Sequence, residues 1–241
     1  MSTRGSTLTI ASRFAGPANS GNGGYTAGLF AHVLQAQGIV AVTLRHPPPL
    51  DTALEVEPDG TGGRLRHGDV TVAVAELDEF ASAPPAAVSV EQALAAEEQY
   101  AGFVDHPFGS CFVCGTLRRS PDGLCLRPGR FAAKGTACTW TPDSSLASGP
   151  DATMSAAEFV WAALDCPGGW TSDLHSRPLV LGRMRARCDR LPALGVTHVV
   201  VGALLGHERR KTFTATALYD AEGVLLARAE HTWISVDPAT L

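Results

Sequence analysis

The chain has 241 residues, 45% of them apolar and 18% charged, with a formal net charge of -5. That balance provides ample material for a core and excludes disorder. It also argues against a nucleic-acid surface, which needs clustered Lys and Arg, because the densest basic run, HERRK (207–211), reads as a solvated turn.

In chain order, one succession of elements occurs twice. TLTIASRF (7–14) reads as a strand, GPANSGNGG (16–24) as a Gly-rich turn and YTAGLFAHVLQAQ (25–37) as a helix. Strand-like runs follow at IVAVTLRH (39–46), TALEVEP (52–58) and GGRLRHGDVTVAVAELDEF (62–80), broken by turns at HGD and GG. ASAPPAAVSVEQALAAEEQYAG (81–102) is compositionally biased and reads as a connection. The pattern then restarts with a strand at KGTACTWTP (134–142), a turn at SSLASGPDAT (144–153) and a helix at MSAAEFVWAALD (154–165). Strands return at 177–191, 197–206, 211–220 and 224–237. No run reaches the ~20 apolar residues of a membrane span. The N-terminus lacks the apolar core of a signal peptide, so a cytoplasmic location is expected.

Both helical runs are apolar nearly all round, the mark of a helix buried on most sides, and each is followed by amphipathic antiparallel strands. Near the end of the second helix, in its apolar part, stands a carboxylate, Asp165. A negative charge in the last helical turn opposes the helix dipole, and an apolar setting disfavours ionisation. Asp165 is therefore either held by a specific partner, such as the Cys166-Pro167-Gly168-Gly169 turn or Arg183, or kept for chemistry. Glu158, in the first turn, reads as a capping carboxylate.

HPFGSCFVCGTLRRSPDGLCLRPGRF (106–131) resembles the CFVCG…GL opening of hotdog-fold acyl-CoA thioesterase-like proteins, and GNGGYTAGLFA (21–31) resembles their HGG helix entry. The resemblance implies an α+β double hotdog, with two long helices each wrapped by a curved antiparallel sheet. Its units would be 1–84 and 106–241, joined by a linker at 85–105. A hotdog thioesterase holds the thioester carbonyl at the N-terminus of one helix and supplies an acid from the partner unit's helix. Carried over by residue, Asn22 takes the His position, Gly23 and Gly24 hold the carbonyl oxygen, and the acid position eight beyond Gly23 falls on Ala31. In the second half, eight back from Asp165 is Ala157, within SAAE. Each half thus retains a different part, and the retained parts form one composite catalytic site of Asp165, Asn22, Gly23 and Gly24. Asn19, Ser20 and Trp161 are the expected substrate contacts.

The function implied is hydrolysis of an acyl-CoA or other small thioester, with no cofactor and no nucleic-acid or membrane partner, in a monomeric pseudo-dimer or a homodimer. The alternatives are a non-catalytic acyl or acyl-CoA binding protein, or a hotdog hydratase/dehydratase, which Asn22 in place of a catalytic His disfavours. GNGG also reads as no more than a turn and N-cap. The six cysteines, without an export signal, read as thiols. Cys111 and Cys114 form one CxxC, with Cys125 and His106 as irregular further ligands, so no metal site is assigned.

Overall fold

Residues 6–237 are described by the computed structural model. The strands are β1 (Ser6–Thr9), β2 (Val40–Leu44), β3 (Ala53–Asp59), β4 (Gly62–His67), β5 (Val70–Leu77), β6 (Gly129–Phe131), β7 (Gly135–Trp140), β8 (Leu179–Cys188), β9 (His198–Glu208), β10 (Lys211–Tyr219) and β11 (Leu225–Ser235). All pair antiparallel in one sheet of order β1-β3-β4-β5-β2-β8-β11-β10-β9-β7-β6. Read from its two ends, the order repeats: β1-β3-β4-β5-β2 from one side and, inside the extra edge strand β6, β7-β9-β10-β11-β8 from the other.

The expectation of two sheets, each wrapped round a long helix, is corrected on two points. The halves share a single sheet, because β2 and β8 pair across the seam from Val40↔Ala186 to Thr43↔Arg183. Arg183 secures that seam through Thr43 Oγ1 at 2.7 Å, Glu76 at 2.8 Å and Asp78 at 2.9 Å, which removes it as a partner for Asp165. The two central helices are short, α1 (Gly23–Val33) of 11 residues and α3 (Ala157–Gly169) of 13.

Gly24 and Gly28 let α1 and α3 approach backbone to backbone and run antiparallel. A Cβ on Gly24 would lie 2.5 Å from Asp165 Cβ and 2.8 Å from the Trp161 carbonyl, and one on Gly28 would lie 2.8 Å from Glu158 Cα. Helix α3 continues through Cys166-Pro167-Gly168-Gly169, where the sequence suggests a stop. Proline and helix ends leave backbone carbonyls without helical partners. Here hydroxyls take up several: Thr216 donates to Leu164 O at 2.8 Å, Thr136 to Pro167 O at 2.7 Å and Thr171 to Gly168 O at 2.7 Å.

The connection contains a helix of its own, α2 (Val90–Glu97), started by a Ser89/Gln92 capping box. Ala93 and Ala96 pack on Ala137, Val199, Val201, Ala217 and Tyr219, covering the other face of the second-half strands. The chain then returns to the first half: Phe112 N donates to Ala15 O at 2.7 Å, and Phe112 joins a cluster with Phe14, Tyr25 and Phe159. That return brings the CFVCG segment to the N-terminus of α1. Among the described residues, no helix is long and apolar enough to cross a membrane.

Candidate active site

The two helix entries are built alike. Phe14 O accepts from Asn22 N at 2.8 Å, and Leu146 O accepts from Ala156 N at 2.8 Å. Isolated bridges Ala15↔Gly21 and Ala147↔Ser155 brace the two turns. The N-cap positions are Asn22 and Ala156, so Gly23 matches Ala157, Gly24 matches Glu158 and Ala31 matches Asp165.

Asn22 uses both ends of its amide. Its Oδ1 accepts from Tyr25 N at 2.8 Å, capping α1, and its Nδ2 donates to Asp165 Oδ2 at 2.9 Å. Gly24 N donates to the same carboxylate oxygen at 3.0 Å. Of the first four N–H groups of α1, Gly24 therefore bonds Asp165, Tyr25 bonds the cap side chain and Thr26 bonds Asn22 O. Gly23 N–H alone among these four has no partner among the described residues. GNGG forms the turn and N-cap, and its Asn22 and Gly24 also donate to Asp165.

Asp165 is 2% exposed, and its Oδ1 has no partner among the described residues. Burial pushes its carboxyl up to about 7, against the pull of the Gly24 and Asn22 hydrogen bonds. It lines a cavity of about 520 Å³ whose walls include Asn19, Ser20, Asn22 and Gly23 and the apolar side chains of Trp170, Leu181 and Trp233. Trp161, expected at the substrate, instead faces Gly28 in the helix–helix contact and is absent from the cavity lining.

The sequence reading missed what stands beside the carboxylate. Cys111 and Cys114 of CFVCG converge with Cys166, the residue after Asp165, their three sulfurs lying within 4.8 Å of one another. Cys111 Sγ is 3.7 Å from Cys166 Sγ, and Asn22 Nδ2 points at it from 3.9 Å. Hydrogen bonds from Cys114 and Cys166 hold the Cys111 thiol well below its ordinary range. Cys125 is not in the group. His106 is beside it but committed elsewhere, its Nδ1 accepting from Phe108 N at 2.9 Å and its Nε2 facing Cys114 O at 3.2 Å.

No family model matches the sequence, and no curated protein matches it. Solved structures do match, along nearly the whole chain. A TesB protein of Mycobacterium avium subspecies paratuberculosis superposes with a TM-score of 0.62 at 12% identity, covering 96% of this chain and 92% of its own. A protein of Novosphingobium aromaticivorans provisionally named a thioesterase gives 0.61 at 12% identity, covering 96% and 95%. Another, from Thermobifida fusca and provisionally named thioesterase II, gives 0.59 at 12%, covering 96% and 92%. The fold is that of the hotdog thioesterase-like proteins. This likeness shows the fold alone, and activity has to be argued from the residues.

Proposed function

We propose that the chain is a thioester hydrolase with one composite site, acting on acyl-CoA or another small thioester. The observation that carries this is the Asp165 carboxylate of the second half, buried and held at the N-terminus of the first half's helix by Asn22 and Gly24, on the wall of a cavity. The double-hotdog organisation, 1–84 and 106–241 about the 85–105 connection, supplies the two halves that the site needs.

The carbonyl oxygen takes the free Gly23 N–H at the positive end of α1, where developing negative charge is stabilised. Gly24, engaged by the carboxylate, positions the acid instead. Asp165 accepts a proton from water as the hydroxide attacks the carbonyl carbon. The C–S bond then breaks, the water-derived hydroxyl stays on the carbonyl carbon as part of the carboxylic acid product, and the departing thiolate takes the proton back from Asp165. Trp170, Leu181 and Trp233 offer an apolar surface to the acyl group, and exposed Arg45 in the lining offers a cation to a phosphate-bearing carrier.

The test is thiol release from short, long and aromatic acyl-CoAs by the wild type and by Asp165→Asn. Asparagine keeps the acceptor for Gly24 and Asn22 and removes the base. Turnover that collapses in the variant is the expected result. Equal turnover by both proteins overturns the role of Asp165, and tight binding without turnover by either makes this an acyl-binding protein.

A further inference from the structure

Three cysteines that the hydrolytic steps do not use converge on the same cavity. Cys111 and Cys114 are each 3% exposed, Cys166 is partly exposed, and all three line the cavity. We propose that Cys111, Cys114 and Cys166 form a three-thiolate site for a zinc-like divalent cation, its fourth ligand coming from the cavity.

The spacing suits this. A tetrahedral ion with sulfur ligands at about 2.3 Å places its ligand sulfurs about 3.8 Å apart. Cys111 and Cys166 stand at 3.7 Å, and the third sulfur lies within 4.8 Å of both. Two N–H donors face the sulfurs. Trp170 Nε1–H, a group that can only donate, points at Cys114 Sγ from 3.4 Å inside the protein, and Asn22 Nδ2 faces Cys111 Sγ. Such donors steady a thiolate and tune a bound metal.

Outer contacts hold the ligand loop as well. Cys114 O receives Tyr100 Oη at 2.8 Å and Arg127 Nη1 at 3.3 Å, so the CxxC turn is braced from behind. A disulfide would use two of the three sulfurs and carry no charge for the tryptophan and asparagine N–H groups to meet. His106, with both ring nitrogens facing backbone groups, leaves the fourth position to water or to a ligand entering the cavity. An open fourth position distinguishes reactive zinc sites from closed structural ones. Binding requires deprotonated thiols and releases their protons to solvent.

The test needs no substrate. Reduced, chelator-treated full-length protein is titrated with Co²⁺ and then with Zn²⁺. One Co²⁺ per chain with a thiolate-to-cobalt charge-transfer band and tetrahedral visible bands, displaced by Zn²⁺, is expected. Cys166→Ser should weaken binding by more than the roughly 10- to 100-fold that loss of an outer contact costs, Trp170→Phe should fall within that range, and Cys188→Ser should leave it unchanged. Should Cys166→Ser not fold, alkylation of the native wild type replaces it, with Zn²⁺ slowing modification of Cys111, Cys114 and Cys166 together. No spectrum and no protection overturn the site. Binding that survives Cys166→Ser reduces it to a two-thiol chelate and also overturns it, as does clean loss of two thiols to a disulfide in protein that binds neither metal. None of these readouts depends on whether the protein hydrolyses thioesters.

Discussion

The two helix entries share one backbone and differ in what they present. At α1, Asn22 caps the helix, Gly23 leaves a bare N–H in the cavity and Gly24 admits the opposing helix. At α3, Ala156 caps nothing, and Ala157 and Glu158 occupy the two glycine positions. The acids are distributed the other way, with Ala31 on α1 and Asp165 on α3. Because the helices run antiparallel, donor and acid meet at one end of the pair, while the other end brings together Ala157 and the alanine at 31. The repeated order of elements makes two helix entries geometrically alike, and side chains decide what each presents.

The comparison breaks hardest at the acid. Asp165→Asn should lower kcat/KM for acyl-CoA hydrolysis by roughly 100- to 10,000-fold, the range for losing a general base, with little change in the thermal midpoint. Steady-state kinetics beside a melting curve separate the two effects. Transplanting the acid alone, Ala31→Asp in the Asp165→Asn background, should restore nothing, since the opposite entry has Ala156 at its cap and Ala157 and Glu158 in place of the two glycines.

The halves also differ beneath their helices. The first-half strands present Leu54, Val56, Leu65 and Val72, while the second presents Thr136, Thr214, Thr216 and His231, all buried. Burial lowers His231 from 6.5 to about 4, and Thr214 Oγ1 is its neighbour at 3.1 Å. Its folded pKa is the lower one, so the unfolded chain binds the extra proton. Stability is full above about 6.5 and falls as pH drops toward 4, by as much as about 3 kcal/mol across that window. Asp165, whose folded carboxyl is raised to about 7, contributes a slope of the opposite sign over the same window, so the His231 contribution is read as the difference between wild type and His231→Gln in chemical denaturation at several pH values.

Closer to the seam of the two helices, Gly24→Ala should cost about 1–3 kcal/mol through overpacking against Asp165 and Trp161, and should also depress turnover by moving the carboxylate. A variant that melts normally and turns over normally would mean that the helices are less closely packed than the 2.5 Å approach requires.

These positions show what was legible in the sequence and what was not. The eight-residue step from Gly23 to Ala31 and from Ala157 to Asp165 is local, so the split of donor and acid between the halves could be read directly. Cys166 could not be joined to Cys111 and Cys114, because that contact depends on the path by which 106–128 returns to the first half. The same limit hid the extension of α3. Cys-Pro-Gly-Gly is a local stop signal, overridden by threonines on β7 and β10 that bond the α3 carbonyls from far along the chain. The continuous sheet rests on β2–β8 pairing, which strand periodicity does not encode.

Asn22 sharpens the comparison because it has two tasks with separable outcomes. Asn22→Ala should cost about 1 kcal/mol from the lost cap. Asn22→Ser restores a cap for Tyr25 N but not the Nδ2 bond to Asp165, so stability should recover. If Asn22 positions the carboxylate, kcat should stay depressed in both variants with KM little moved. Recovery of kcat in Asn22→Ser would reduce Asn22 to a cap.

The smallest effect belongs to the opposite entry. Glu158 stands where Gly24 stands on α1, and its Oε2 is buried with no partner among the described residues. In an active entry that carboxylate would crowd the carbonyl oxygen and repel the charge growing on it. Here it faces no acid, since the α1 position eight beyond Gly23 is Ala31. Glu158→Ala should therefore leave acyl-CoA turnover unchanged, with the loss of a first-turn carboxylate at the helix dipole offset by removal of its buried, unpartnered oxygen, so that the net stability change stays within about 1 kcal/mol. Loss of turnover in this variant, with the fold intact by melting, would show that both ends of the helix pair are in use and that the chain carries two sites rather than one.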